Sequence, residues 1–121
     1  MNFAGLLHGT SSEDLPWRAT SVEGVSWLPL HLEAESRSEQ GDATVLIRME
    51  PGAGYPGHRH VGPEDVLVLA GAYRDEVGEY RAGDHVRYPA GSSHSPVALG
   101  DSDGDPACVL YAVAQRGVEL L

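Results

Sequence analysis

The sequence predicts an all-β domain of the sandwich or barrel type. Short apolar segments alternate with a period of two, turn residues separate them at close intervals, and no segment reads as a helix. Fifteen glycines and eight prolines are spread along 121 residues, too often for long helices. Hydrophobic residues make up 41% and charged residues 21%, the composition of an ordinary globular chain with one core.

The elements follow in order. Residues 1–20 read as an N-terminal arm or first edge strand, and residues 21–121 as a single barrel domain. Residues 27–33 alternate Leu28, Leu30 and Leu32 with Pro29, His31 and Glu33. Residues 43–50 are β-rich and stop at Pro51-Gly52. Residues 57–61 form a short strand with two histidines. Residues 65–73 are apolar at both parities, which predicts one strand buried on both faces. Residues 76–81 run into the turn Ala82-Gly83-Asp84, and residues 85–88 end at Pro89-Ala90-Gly91. Residues 95–99 and 107–115 supply two further strands, joined by the acidic segment 100–106. Asp101, Asp103 and Asp105 there lack the length and terminal glutamate of a calcium loop, so a solvated turn is expected.

Charge and cysteine usage narrow the function classes. A net charge of -10 repels phosphate, so neither nucleic acid nor an anionic membrane is an expected partner. No apolar run reaches the ~18 residues of a membrane span, and the first nine residues do not form a signal peptide. Cys108, the sole cysteine, is expected to be a buried thiol rather than a nucleophile, and a cytoplasmic location is expected.

The chemistry lies in four residues. His58 and His60, two apart on a strand, share a face, and Arg59 points the other way. Glu64 follows the turn Val61-Gly62-Pro63, which can return a carboxylate to the imidazoles. His94 arrives 34 residues after His60, beyond a hairpin and a Pro-Ala-Gly turn. Three imidazoles and a carboxylate suit one divalent transition metal, zinc or iron foremost and manganese or nickel next, and are too nitrogen-rich for magnesium or calcium. Two histidines at this spacing would alone mean little. The glycine framework around them is more specific: Gly52, His58, His60, Glu64 and Gly71 form one spaced pattern, and Gly83, Pro89, Gly91 and His94 form a second.

These two patterns resemble the characteristic motifs of the cupin superfamily. The resemblance implies a double-stranded antiparallel β-helix, or jelly-roll barrel, with a metal inside held by His58, His60, Glu64 and His94. One place departs from many cupins: Ala98 stands where they carry an asparagine that is not a metal ligand. The segment PGAGYPGHRHVGPEDVLVLAGAYRDEVGEYRAGDHVRYPAGSSHSP is similar to the cupin domain at the C-terminus of ChrR-type anti-sigma factors, whose stand-alone relatives cleave acetylacetone or dihydroxyacetophenone with dioxygen. In the ChrR-type domain a matching set of three histidines and a glutamate binds zinc. The acetylacetone-type enzymes use three histidines at iron and lack the carboxylate, so Glu64 favours the ChrR-like site. The helical zinc module of such anti-sigma factors, with its Cys-x-x-Cys, has no counterpart here, so direct sigma-factor sequestration is not expected.

The resulting expectations are two. The chain is a metal-dependent dioxygenase for a small dicarbonyl or aromatic ketone, with Glu64 also able to act as a base, or it is a zinc-binding sensor module. A homodimer with a small-molecule ligand is expected in either case. Val66 and Val68, on the strand face of Glu64, are expected to line the pocket, and Arg48 either faces it as an anchor for an anionic substrate or faces solvent, the commoner case. Tyr73, Tyr80, Tyr88 and Tyr111 read as packing groups and His85 as structural. His8 and His31 carry no assignment. Trp17 and Trp27 are expected to cover one barrel end or join a dimer contact.

Overall fold

Side-chain alternation builds the central sheet. Ala43, Val45, Ile47 and Met49 share one parity, and Thr44, Leu46 and Arg48 the other, so this segment has one wholly apolar face. In the computed structural model, which describes residues 14–32, 42–116 and 118–120, it becomes strand β3 (Ala43–Met49). Before it come β1 (Arg18–Ala19) and β2 (Val25–Leu32). After it come β4 (His58–His60), β5 (Glu64–Ala70), β6 (Ala72–Arg74), β7 (Glu79–Arg81) and β8 (His85–Tyr88). The last four are β9 (Ser93–His94), β10 (Val97–Ala98), β11 (Cys108–Ala114) and β12 (Val118–Leu120). No α-helix occurs among the described residues. Residues 1–13, with His8, and Glu33 lie outside them.

Every strand pairing among the described residues is antiparallel. A six-stranded sheet runs β1-β2-β3-β11-β5-β8, and two three-stranded sheets run β10-β6-β7 and β12-β4-β9. Register aligns the apolar parities of neighbours: Leu110 faces Ile47 and Val68, and Ala112 faces Val45 and Val66. The main core cluster therefore gathers on one side of the large sheet, around Met49, Val66, Val68, Tyr73, Leu110 and Ala112, while Leu28 and Leu46, paired in register, are buried on the other. Burying each such side chain contributes about 1.5–3 kcal/mol relative to exposure. The β2–β3 register shifts just after Pro29, whose ring has no N–H to give a ladder.

One strand differs from its expectation. Residues 65–73 form two strands, β5 and β6, in different sheets, and β5 is buried on one side only: Val66 and Val68 point in, while Leu67 is 37% exposed. Gly71 makes the break. Its φ is +66°, and a Cβ there would sit 2.7 Å from the Ala107 carbonyl oxygen, so only glycine lets the chain turn this corner. The other framework glycines, Gly52, Gly83 and Gly91, also have positive φ, which ties the spacing patterns to the strand corners. The pairing of β9 with β4 puts His94 in a strand two residues earlier than expected, and only Val97 and Ala98 remain as β10. The acidic segment is a turn closed by its own carboxylates: Asp105 accepts the Asp101 N–H at 2.6 Å and Asp101 accepts the Asp103 N–H at 3.0 Å.

Candidate metal centre

Three short elements bring the four predicted ligands together. Strand alternation puts His58 and His60 on the inner face of β4, at 5% and 0% exposure. The Gly91 turn returns the chain so that β9 pairs with β4 and His94 lies directly opposite His58. Glu64 opens β5 after the Gly62-Pro63 turn, its side chain 12% exposed. One donor atom from each of the four lies within 4.8 Å of all the others.

The hydrogen bonds around the imidazoles decide what these atoms offer. His58 Nδ1 is 3.0 Å from the Pro56 carbonyl oxygen, which can only accept, so Nδ1 carries the hydrogen. His60 Nδ1 is 3.1 Å from both the carbonyl and the hydroxyl oxygen of Ser92. That hydroxyl spends its hydrogen on the Pro89 carbonyl, so it too accepts from His60. His94 Nδ1 is 3.0 Å from a carboxylate oxygen of Asp75. All three rings are thereby fixed as the Nδ1–H tautomer, with the Nε2 lone pairs turned inward. His58 Nε2 then faces His94 Nε2 at 2.9 Å, and His60 Nε2 faces a Glu64 oxygen at 3.1 Å. Four acceptors converge with no donor between them, which is the complement of a cation. Three nitrogens and one carboxylate oxygen fit a divalent transition metal.

Burial lowers the His58 pKa below its usual 6.5, with the neighbouring His94 and His60 adding to the effect and the Pro56 bond opposing it. The ring is thus held in the neutral form that ligation requires. Tyr88 stacks on His60 at 5.0 Å between ring centres, and Tyr55 meets His58 edge-on at 5.1 Å. These contacts limit rotation of the two rings.

Asp75 was not singled out in the sequence. It lies in the β6–β7 turn with its side chain fully buried. One carboxylate oxygen accepts from His94 Nδ1 and from the Tyr88 hydroxyl at 2.8 Å. The other accepts the backbone N–H groups of Val77 at 2.9 Å and Gly78 at 3.2 Å, and the Tyr80 hydroxyl at 3.3 Å. Burial pushes the carboxyl pKa up, but the bonds from His94, Tyr88, Val77 and Gly78 outweigh it and hold the group below its ordinary value. The sequence signal was the turn Asp-Glu-Val-Gly alone, which marks an Asx turn and says nothing about a distant histidine.

A cavity of about 270 Å³ adjoins the four ligands, with His58, Glu64 and His94 in its wall. The rest is mainly aliphatic: Val45, Ile47 and Met49 from β3, Val66 from β5, Leu110 and Ala112 from β11. Trp27 also lines it, where a barrel-end or dimer role was expected. Of the predicted pocket residues, Val66 is in the wall. Val68 is not: at 1% exposure it is packed within the core. Arg48 is not either, because Val45, Ile47 and Met49 own the inward parity of β3. Arg48 points to the opposite face and pairs with Glu50. No lysine or arginine lines the cavity among the described residues.

The remaining singled-out residues are structural. Tyr73, expected only to pack, also hydrogen-bonds Tyr88 at 2.6 Å. His85 is at the surface, 3.1 Å from Asp65, and Tyr111 is 37% exposed. His31 is exposed. Cys108 is fully buried, and burial pushes its thiol pKa up to about 12, too high for a nucleophile near neutral pH.

The ChrR cupin-like domain family matches residues 8–111. The anti-sigma-E factor ChrR of Cereibacter sphaeroides is 38% identical over 92 residues, 74% of this chain and 39% of that protein, so the chain spans about two fifths of its length. The crystal structure of Rhodobacter sphaeroides SigE in complex with the anti-sigma ChrR aligns with a TM-score of 0.69 and 32% identity, over 86% of this chain and 50% of that one. An acetylacetone dioxygenase from Acinetobacter johnsonii aligns with a TM-score of 0.67 at 16% identity, over 81% of this chain and 64% of that one, a likeness of fold alone. Matched along most of its length and carrying the jelly-roll architecture of these neighbours, the chain belongs to the ChrR cupin-like domain family.

Proposed function

We propose that this chain is a metal-dependent enzyme of the dioxygenase type acting on a small dicarbonyl or aromatic ketone. The observation that carries the reading is the apolar cavity opening onto three of the four converging acceptors. A site serving only to bind a structural ion needs no such space. The cavity wall suits an uncharged organic body, since no cationic side chain lines it among the described residues.

His58, His60, Glu64 and His94 would hold the metal. When bound, a divalent transition metal would supply Lewis-acid chemistry and, as iron, redox chemistry. Glu64 is the base in this reading: the carboxylate oxygen not used to hold the metal takes the acidic proton between two carbonyl groups and leaves an enolate. The aliphatic wall keeps water from the reacting carbon, and Tyr55 and Tyr88 keep the His58 and His60 rings from turning.

The second reading is a zinc-binding sensor module without turnover. The completeness of the four-residue donor set favours it, since four protein ligands close a tetrahedral zinc site. Under either reading we propose a cytoplasmic homodimer. No helix among the described residues is long and apolar enough to cross a membrane. Tyr111 and Leu67, paired in register on the outer face of the large sheet and each 37% exposed, offer an apolar pair for a dimer contact.

The test is metal content of protein purified without chelator, followed by oxygen uptake with acetylacetone and dihydroxyacetophenone after iron loading. The enzyme reading expects about one metal per chain and substrate-dependent uptake. Full zinc occupancy with no uptake after iron exchange decides for the sensor. Unchanged metal content in His94→Ala refutes the site in both readings.

A further inference from the structure

We propose that Asp75 is the positioning residue of the His94 ligand, holding His94 as the Nδ1–H tautomer so that Nε2 stays free for the metal. The proposal rests on the metal-site reading above, and it names a residue outside the ligand set.

The two carboxylate oxygens of Asp75 have separate tasks. One closes the β6–β7 turn through the Val77 and Gly78 N–H groups and also accepts from Tyr80. An Asx turn needs no more than that oxygen. The second oxygen faces away from the turn and accepts from His94 Nδ1 and Tyr88. All five neighbours are donors toward Asp75, and two of them are backbone N–H groups that cannot reverse their role. His94 is also confined: His58, His60 and Tyr88 lie with ring centres at 4.5, 4.8 and 4.3 Å from it. A ring so crowded cannot flip to exchange its nitrogens without displacing those neighbours. The acceptor at Nδ1 therefore decides which nitrogen is free.

Asparagine at this position separates the two tasks. In Asp75→Asn the side-chain oxygen must stay with the Val77 and Gly78 N–H groups, which keeps the turn. The amide NH2 then faces His94 Nδ1. His94 has to present a lone pair at Nδ1, its hydrogen moves to Nε2, and that nitrogen can no longer ligate.

The experiment measures zinc affinity by competition with a chromophoric chelator, and the His94 tautomer by 15N NMR of the metal-free protein. The wild type is expected to show His94 as Nδ1–H, and Asp75→Asn as Nε2–H. Zinc affinity should fall about 10–100-fold in Asp75→Asn, the size of effect typical of a lost carboxylate–histidine contact. Tyr80→Phe removes a donor to the turn-side oxygen but leaves the Asp75–His94 bond. It should keep the Nδ1–H tautomer and bind zinc within about threefold of wild type.

Three results would overturn the proposal: wild-type His94 as Nε2–H, unchanged zinc affinity in Asp75→Asn, or an equal loss in both variants. If Asp75→Asn does not fold, the wild-type tautomer still decides. A wild type that binds no zinc refutes the metal-site reading instead, and the tautomer then tests the role of Asp75 separately.

Discussion

Tyr88→Phe removes a single oxygen, yet the structure makes its cost exceed that of one hydrogen bond. Tyr88 is 2.8 Å from an Asp75 carboxylate oxygen and 2.6 Å from the Tyr73 hydroxyl. The carboxylate can only accept, so the Tyr88 hydrogen goes to Asp75 and the Tyr73 hydrogen goes to Tyr88. Both phenols stay protonated, since burial raises both pKa values. In Tyr88→Phe the charge-assisted bond to Asp75 is lost, worth about 1.5–3 kcal/mol. The Tyr73 hydroxyl, on a side chain 1% exposed, is also stranded without its acceptor, at about 1–3 kcal/mol. The single variant should therefore lose about 2.5–6 kcal/mol, a large share of a typical domain's stability. Adding Tyr73→Phe removes the stranded donor. The double variant should be more stable than Tyr88→Phe, by up to about 3 kcal/mol. Urea unfolding of the metal-free proteins reads both quantities. If the two losses simply add, or the double variant is the weaker, the assigned hydrogen-bond direction is wrong.

The remaining predictions concern pH and the cavity. The folded-state pKa of His58 lies below 6.5, so as pH falls through 6.5 the unfolded chain gains a proton there before the folded one does. Stability of the metal-free protein that is present above pH 6.5 should therefore decline below it, down to the folded-state pKa, and His58→Ala should flatten the decline in urea midpoint. For the cavity, Val66→Phe should abolish aryl-ketone binding while zinc binding persists, and Arg48→Met should leave ketone binding unchanged. Calorimetry checks both, and a loss of ketone affinity in Arg48→Met would show that the inward face of β3 has been misassigned.

Much of the site is legible along the chain. His58 and His60 alternate on one strand, Glu64 follows a turn, and the glycines that space them sit at corners with positive φ. The side on which Arg48 lies was not decided there: Leu46 shares its parity and is buried, so both faces of the strand carry apolar residues, and the structure turns Arg48 away from the cavity. The break at Gly71 was not legible either, because residues 65–73 read as one apolar run. It is set by the Ala107–Cys108 backbone passing within 3 Å of where a Cβ would be, a contact between segments far apart in sequence.

By itself, the sequence determined the fold class, the family and the four residues whose donor atoms converge, because strand periodicity and turn geometry act over a few residues and leave a spaced pattern. Only the tertiary structure decided which tautomer each imidazole adopts and that Asp75 supports His94. Those depend on hydrogen bonds between the β6–β7 turn and β9, 19 residues apart in the chain. Strand pairing brings them to 3.0 Å, and no local pattern records that approach.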